Sequence, residues 1–199
     1  MSKDEQAKTV LITSPMVTLK RYTYRPVVSF WGKAGSGKSQ AARILVTKYG
    51  YKPISFATPI KNIIEKFLDV LGEDRSHVWS KKEQPINSLN GLTGRHLLQT
   101  FGTEWGRDLI DRNLWANVAR KRISTALGRG ERVVLDDLRF VNEEIMLQEF
   151  GACLVQITRD NLKCLKHSSE NQNLTADHVL ENNETLTTLT KKLKCIITL

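Results

Sequence analysis

The sequence predicts an α/β fold in three layers, α/β/α, with a parallel sheet at the centre. Two observations predict it. Short apolar runs rich in β-branched residues alternate with longer stretches of helical periodicity, the pattern of strand–helix–strand units. The first of these runs, Val27-Val28-Ser29-Phe30-Trp31, also leads through a glycine-rich loop straight into a helical stretch.

Residues 1–24 form an N-terminal extension that mixes charges with short apolar runs such as Val10-Leu11-Ile12. From residue 25 to 199 a single domain is expected. After the first strand, a helix runs from Lys38 to about Tyr49 and is closed by Gly50. Ile54-Ser55-Phe56 reads as a second short strand. Thr58 and Pro59 then open a helix in which Ile60, Ile63, Ile64, Phe67, Leu68 and Leu71 keep helical spacing up to Gly72. Residues 73–90 turn polar and predict a surface excursion, with helix resuming near Thr93. Asn113 caps a further helix, ending at Gly128, whose one face carries Trp115, Val118, Ala119, Ile123 and Ala126 with Arg122 at its rim. Three more strands, Val133–Leu135, Cys153–Ile157 and His178–Leu180, are separated by helices near 142–150 and 184–193.

A chain of 199 residues with 40% hydrophobic and 26% charged content is long enough and apolar enough to bury a core. No apolar run approaches the ~20 residues of a membrane helix, so a soluble, cytoplasmic protein without a membrane partner or secretory signal is expected. Cys153, Cys164 and Cys195 are odd in number and lack disulfide or zinc spacing, which predicts reduced thiols. A net charge of +9 suits either nucleic acid or small polyanions. The cations are spread along the chain with no recognisable nucleic-acid module, so nucleic acid is not the expected partner.

Gly32-Lys33-Ala34-Gly35-Ser36-Gly37-Lys38-Ser39 matches G-x-x-x-x-G-K-[ST] between a strand and a helix, the context its mechanism requires. This predicts a P-loop NTPase fold. Glycines let backbone N–H groups turn toward phosphate oxygens, and the helix N-terminus adds its positive end. Lys38 reaches the β- and γ-phosphates, and Ser39 is a ligand for Mg²⁺. Gly32, Ala34, Gly35, Ser36, Gly37, Lys38, Ser39 and Gln40 are therefore the expected ATP-binding set. The strand Val133-Val134-Leu135 ends in Asp136 and Asp137, carboxylates suited to positioning the metal; which of the two faces it is left open. Phosphoryl transfer needs cations around the migrating group, and Arg95, Arg107, Arg139 and Arg159 are the candidates. Arg139 and Arg159 follow strands, at the sheet edge where ligands of such folds bind. Lys163, Lys166 and His167 fall in a polar segment, about 160–175, that reads as a short lid. Trp115 reads as core, while Trp105 suits either core or base stacking.

The chain resembles the bacteriophage deoxynucleoside monophosphate kinase family, within the nucleoside monophosphate kinase-like branch of P-loop proteins. The resemblance rests on the P-loop, Ser55-Phe56-Ala57-Thr58-Pro59-Ile60-Lys61, Thr93-Gly94-Arg95 through Leu98-Gln99 to Gly102-Thr103-Glu104-Trp105-Gly106-Arg107, and Asp137-Leu138-Arg139-Phe140-Val141-Asn142-Glu143. It implies transfer of the ATP γ-phosphoryl group to a deoxynucleoside 5′-monophosphate, with Mg²⁺, in support of phage DNA synthesis. A helical region of about 57–127 would bind the monophosphate through Arg95, Gln99, Thr103, Arg107, Arg139 and Glu143. Lys38, Arg107, Arg139 and Asp137 would serve catalysis, Ser39, Asp136 and Asp137 the metal, and Arg159 the ATP side. A homodimer is compatible with this reading. The terminal stretch Ala176–Asn183 is also similar to dephospho-CoA kinases, which leaves that activity, or another small-molecule kinase, as an alternative; a nucleic-acid-binding P-loop ATPase is a third reading. Thr58 stands where related kinases often carry aspartate, and the stretch after Arg159 lacks a dense arginine lid.

Overall fold

The computed structural model describes residues 24–160 and 174–198. Residues 1–23 and the greater part of the expected lid, with Lys163, Cys164, Lys166 and His167, lie outside the described residues. The elements run β1 Val27–Trp31, α1 Lys38–Tyr49, β2 Tyr51–Pro53, α2 Ala57–Leu71, α3 Gly94–Gln99, a π-helix Thr100–Ile110, α4 Leu114–Gly128, β3 Arg132–Leu135, α5 Val141–Gln148, β4 Cys153–Thr158, β5 His178–Glu181 and α6 Leu186–Ile197.

The five strands form one sheet in the order β2-β3-β1-β4-β5, with every pairing parallel. The strand carrying the P-loop is therefore central: Ser29 of β1 is level with Leu135 of β3 and Leu154 of β4. Alternation along the strands separates two cores. Val28, Phe30, Val155 and Ile157 meet Ala41 and Leu45 of α1 and Leu189, Leu193 and Ile197 of α6 on one face. Val27, Val133, Leu135 and Leu154 meet Ala119 and Ile123 of α4 and Met146 and Leu147 of α5 on the other. A third cluster holds the helical region together through Ile60, Ile64, Leu68, Val78, Ile86 and Trp115. No described helix is long and apolar enough to cross a membrane.

Two local expectations are corrected and a third, the helix resuming near Thr93, is met and extended. The second strand lies at Tyr51–Pro53 and not at Ile54–Phe56. Ile54 still donates to the Val134 carbonyl at 3.0 Å, but Ser55 leaves the sheet because its hydroxyl accepts from the N–H groups of Ala57 and Thr58, both at 3.1 Å, and so opens α2. The polar excursion at 73–90 is not all surface: two 3₁₀ turns, Arg75–Val78 and Asn87–Leu89, bracket Val78 and Ile86, which are fully buried. Finally, the helix that starts behind the Thr93 cap widens after Gln99 into a π-helix. Its five-residue step is visible where Asp111 N–H donates to the Gly106 carbonyl at 3.0 Å.

Trp115 explains that widening. Its indole Nε1 donates to the Gly102 carbonyl at 2.7 Å, and its ring lies where a Cβ on Gly106 would come within 2.6 Å of Cζ2. The indole is 5% exposed, as a core residue should be, whereas Trp105 is 40% exposed and stacks on Phe101 at 4.4 Å. Because the Trp115 ring is held by its hydrogen bond, Gly106→Ala is expected to overpack this contact and cost about 1–3 kcal/mol in urea denaturation; wild-type stability in that variant would show that the π-helix does not depend on the close approach.

Candidate active site

The site grows from the carboxyl ends of β1, β3, β4 and β5, where the loops of a parallel sheet converge. The P-loop leaves β1 and is clamped from two sides. A Cβ on Gly32, whose φ is +139°, would lie 2.2 Å from the Ile157 carbonyl of β4. A Cβ on Gly37, at φ +105°, would lie 2.1 Å from the side-chain amide nitrogen of Asn182, just beyond β5. These glycines thus permit close packing beneath the loop as well as an inward turn of its N–H groups. Lys38 Nζ crosses the loop, donating to the carbonyls of Gly32 at 2.6 Å and Lys33 at 2.8 Å. The Ser36 hydroxyl is buried and has no hydrogen-bond partner among the described residues, while Ala34, Gly35, Ser39 and Gln40 are exposed. A buried hydroxyl donor, the N-terminus of α1 and the Lys38 ammonium fit the oxygens of a polyphosphate.

The two carboxylates after β3 have different surroundings. Asp137 turns toward the start of α2: it accepts from the Ser55 hydroxyl at 2.7 Å and from the N–H groups of Ala57 at 3.0 Å and Phe56 at 3.2 Å. Burial pushes its pKa up, and these hydrogen bonds oppose that. Asp136 is half-buried beside it. Lys61 of α2, which the sequence reading left without a role, faces both carboxylates and packs its Nζ 4.2 Å from the centre of the Trp79 ring. Its burial, and then the neighbouring Lys82, hold the ammonium below its ordinary pKa, with Asp137 and Asp136 opposing.

Arg107, on the π-helix, is held on two sides. Its guanidinium carbon lies 3.7 Å from the centre of the Phe140 ring, and Nη2 donates to Asn142 Oδ1 at 3.2 Å. The Asn142 amide is oriented in turn by donating to the Arg112 carbonyl at 3.1 Å and to Asn113 Oδ1 at 3.0 Å. Glu143, 3% exposed, fixes the preceding turn by accepting from the N–H groups of Arg139 at 3.0 Å and Phe140 at 3.1 Å, the reach-back of a capping glutamate. Burial of Arg107 lowers its pKa, against the pull of Glu143.

The other expected residues are more dispersed. Arg95, Gln99, Thr103 and Arg107 recur every four residues along the continuous run of α3 and the π-helix, Arg95 pairing with Glu83 of the excursion. Arg139 and Arg159 are exposed, after β3 and β4 respectively. Asn142 and Asn182 were missed as site residues; one is a small amide in the first turn of α5 and the other lies just beyond β5, positions whose importance only the contacts disclose.

Residues 78–193 match the family model described as deoxynucleotide monophosphate kinase. The chain belongs to the deoxynucleotide monophosphate kinase family. A member from Acanthamoeba polyphaga mimivirus, named as a deoxynucleotide monophosphate kinase, is 30% identical over 173 residues, covering 80% of this chain and 90% of that one. The deoxynucleoside-5′-monophosphate kinase of Escherichia phage T5 is 30% identical over 122 residues, 60% of this chain and 45% of its own length. Among solved structures, dephospho-CoA kinase from Campylobacter jejuni superimposes with a TM-score of 0.44 at 15% identity, over 86% of this chain and 94% of that one. As a deoxynucleotide monophosphate kinase, the chain is a nucleotide-binding transferase that phosphorylates a nucleoside monophosphate.

Glu143 yields a measurable pH effect. Burial raises its pKa from 4.5 to about 7, with Asp137 adding to the rise and the backbone donors and Arg107 opposing it. A carboxyl whose native pKa lies above its unfolded value binds more protons when folded, so its stabilising share is complete below pH ~4.5 and is lost as pH rises toward 7. Glu143→Gln removes this titration. Relative to wild type, the variant should gain about 1–3 kcal/mol between pH 5 and pH 8 in chemical denaturation; parallel stability curves for the two proteins would refute the assignment.

Proposed function

We propose that this kinase transfers the γ-phosphoryl group of ATP to the 5′-phosphate of a deoxynucleoside monophosphate, releasing ADP and the deoxynucleoside diphosphate, with Mg²⁺ as the divalent ion. The observation that carries the reading is that the P-loop, the β3 carboxylates and the clamped Arg107 belong to loops and helices meeting at one sheet edge. An acceptor phosphate oxygen forms its bond to the γ-phosphorus as the bond to the β,γ-bridging oxygen breaks.

In this reading the P-loop N–H groups and Lys38 hold the triphosphate, and Lys38 follows the charge that develops on the transferring group. Ser39 and Asp136 would hold Mg²⁺, which supplies charge neutralisation between the phosphates. Among the described residues no three His, Cys, Asp or Glu converge to hold a metal. Asp137 acts by fixing the start of α2, and thereby Lys61. Arg107 and Arg139 bind the acceptor phosphate, Glu143 and Asn142 set their geometry, Arg95, Gln99 and Thr103 line the acceptor side, and Arg159 serves ATP. A product of this kind feeds DNA synthesis, in keeping with the viral relatives.

A coupled ADP-release assay with the four common deoxynucleoside monophosphates, beside AMP, CMP, dephospho-CoA and single-stranded DNA, tests the reading. Turnover with a deoxynucleotide supports it; turnover only with dephospho-CoA, or only with DNA present, replaces it. Lys38→Ala should lower kcat by about 10²-fold or more with the fold intact by circular dichroism. Arg107→Ala should raise KM for the monophosphate by about tenfold or more while KM for ATP stays within about twofold, the loss expected of a desolvated charge-assisted contact. Unchanged monophosphate kinetics in that variant would remove Arg107 from the acceptor site.

A further inference from the structure

Asn182 stands immediately beyond β5, the edge strand of the sheet opposite β2. Its backbone N–H donates to the Thr158 carbonyl of β4 at 2.9 Å, so the sheet ladder places it. Its side-chain Nδ2 donates to the Ser36 carbonyl, 146 residues earlier, at 2.8 Å. The same nitrogen occupies the space that a side chain at Gly37 would need, so the amide packs directly on the loop backbone. The neighbouring Asn183 closes a two-way pair with Asp160: its Oδ1 accepts from the Asp160 N–H at 2.9 Å, and its Nδ2 donates to Asp160 Oδ2 at 2.7 Å. The turn beyond β5 is thereby tied to the exit of β4, and Asn182 has a firm base from which to hold the loop.

A trans peptide directs its C=O and N–H to opposite sides. Holding the Ser36 carbonyl toward Asn182 therefore turns the Gly37 N–H away from it. Gly37 is the N-cap of α1, where the N–H groups have no partner inside the helix and are available to an anion. A glycine with φ of +105° opposes rotation of the preceding peptide only weakly, so the orientation needs an external anchor. We propose that Asn182 is a positioning residue for ATP: it fixes the plane of the Ser36–Gly37 peptide so that the Gly37 N–H is presented to the triphosphate before the nucleotide arrives. The proposal rests on ATP binding at the P-loop and is independent of which monophosphate is the acceptor.

Asn182→Asp keeps the size of the side chain and the backbone bond to Thr158, but replaces the donor with an acceptor that repels the Ser36 carbonyl. Asn182→Ala removes the donor without adding charge. Asn183→Ala loosens the same turn without touching the P-loop. Calorimetric titration of ATP into each protein, followed by steady-state kinetics, separates positioning from stitching of the fold. Both Asn182 variants should bind ATP about tenfold or more weakly, with KM for ATP rising in step and KM for the monophosphate unchanged, because the Ser36–Gly37 peptide is no longer held in the binding orientation and must be ordered at the expense of binding. Asn183→Ala should lower the melting temperature and keep ATP affinity within about twofold of wild type. Wild-type ATP affinity in Asn182→Ala, or an equal loss in Asn183→Ala, would overturn the proposal. Absence of ATP binding by the wild-type protein would overturn the kinase reading itself.

Discussion

The carboxylate of Asp137 joins the sheet to the helical region. It lies just beyond β3, next to the central strand, and receives three hydrogen bonds from the first residues of the turn into α2. A buried carboxylate is unfavourable unless its lone pairs are satisfied, and here the donors are two backbone N–H groups and a hydroxyl that itself caps the helix. Everything packed on α2 inherits its position from this junction: Ile60, Ile64 and Leu68 organise the third core, and that core seats Trp115 and hence the π-helix that carries Arg107. The placement of the helical region relative to the P-loop is thus set by one polar contact and the apolar cluster stacked beyond it.

The cations around the site are restrained in part by neutral neighbours. Lys38 rests on two carbonyls, Lys61 on an indole and Arg107 between a phenyl ring and an amide oxygen. Contacts of this kind hold a side chain in place and add no negative charge of their own. The +9 formal charge of the chain, ambiguous when read as composition, has a local meaning here. Orientation before binding lowers the entropy lost when two anionic substrates are brought together.

Much of this was legible in the sequence because the chemistry is local. A glycine-rich loop between a strand and a helix needs no tertiary information, and alternating strands and helices predict the parallel sheet that is observed. Legibility ended where contacts cross long stretches of chain. The β2 boundary moved because the Ser55 hydroxyl is drawn to Asp137, 82 positions away. The burial of Val78 and Ile86 was hidden in a polar segment because their partners are on α2 and α4. Asn142 and Asn182 carry no local signature, since an asparagine beside a helix start or strand end ordinarily reads as a turn residue. The widened helix was invisible for a related reason: its cause is an indole arriving from the next helix.

That widened helix also bears on how the chain tolerates change in length. A five-residue hydrogen-bonding step holds one more residue per turn than an α-helix would, so the segment Thr100–Ile110 stores a surplus in its winding. Removing a single residue there without a matching change in winding would swing every side chain after the deletion by about 100° around the axis. Arg107 would leave Phe140 and Asn142, and the glycines would no longer face the indole. Alignments of sequences related to this one should therefore place gaps in the polar excursion before Thr93, and keep the spacing from Gly102 to Trp115 invariant.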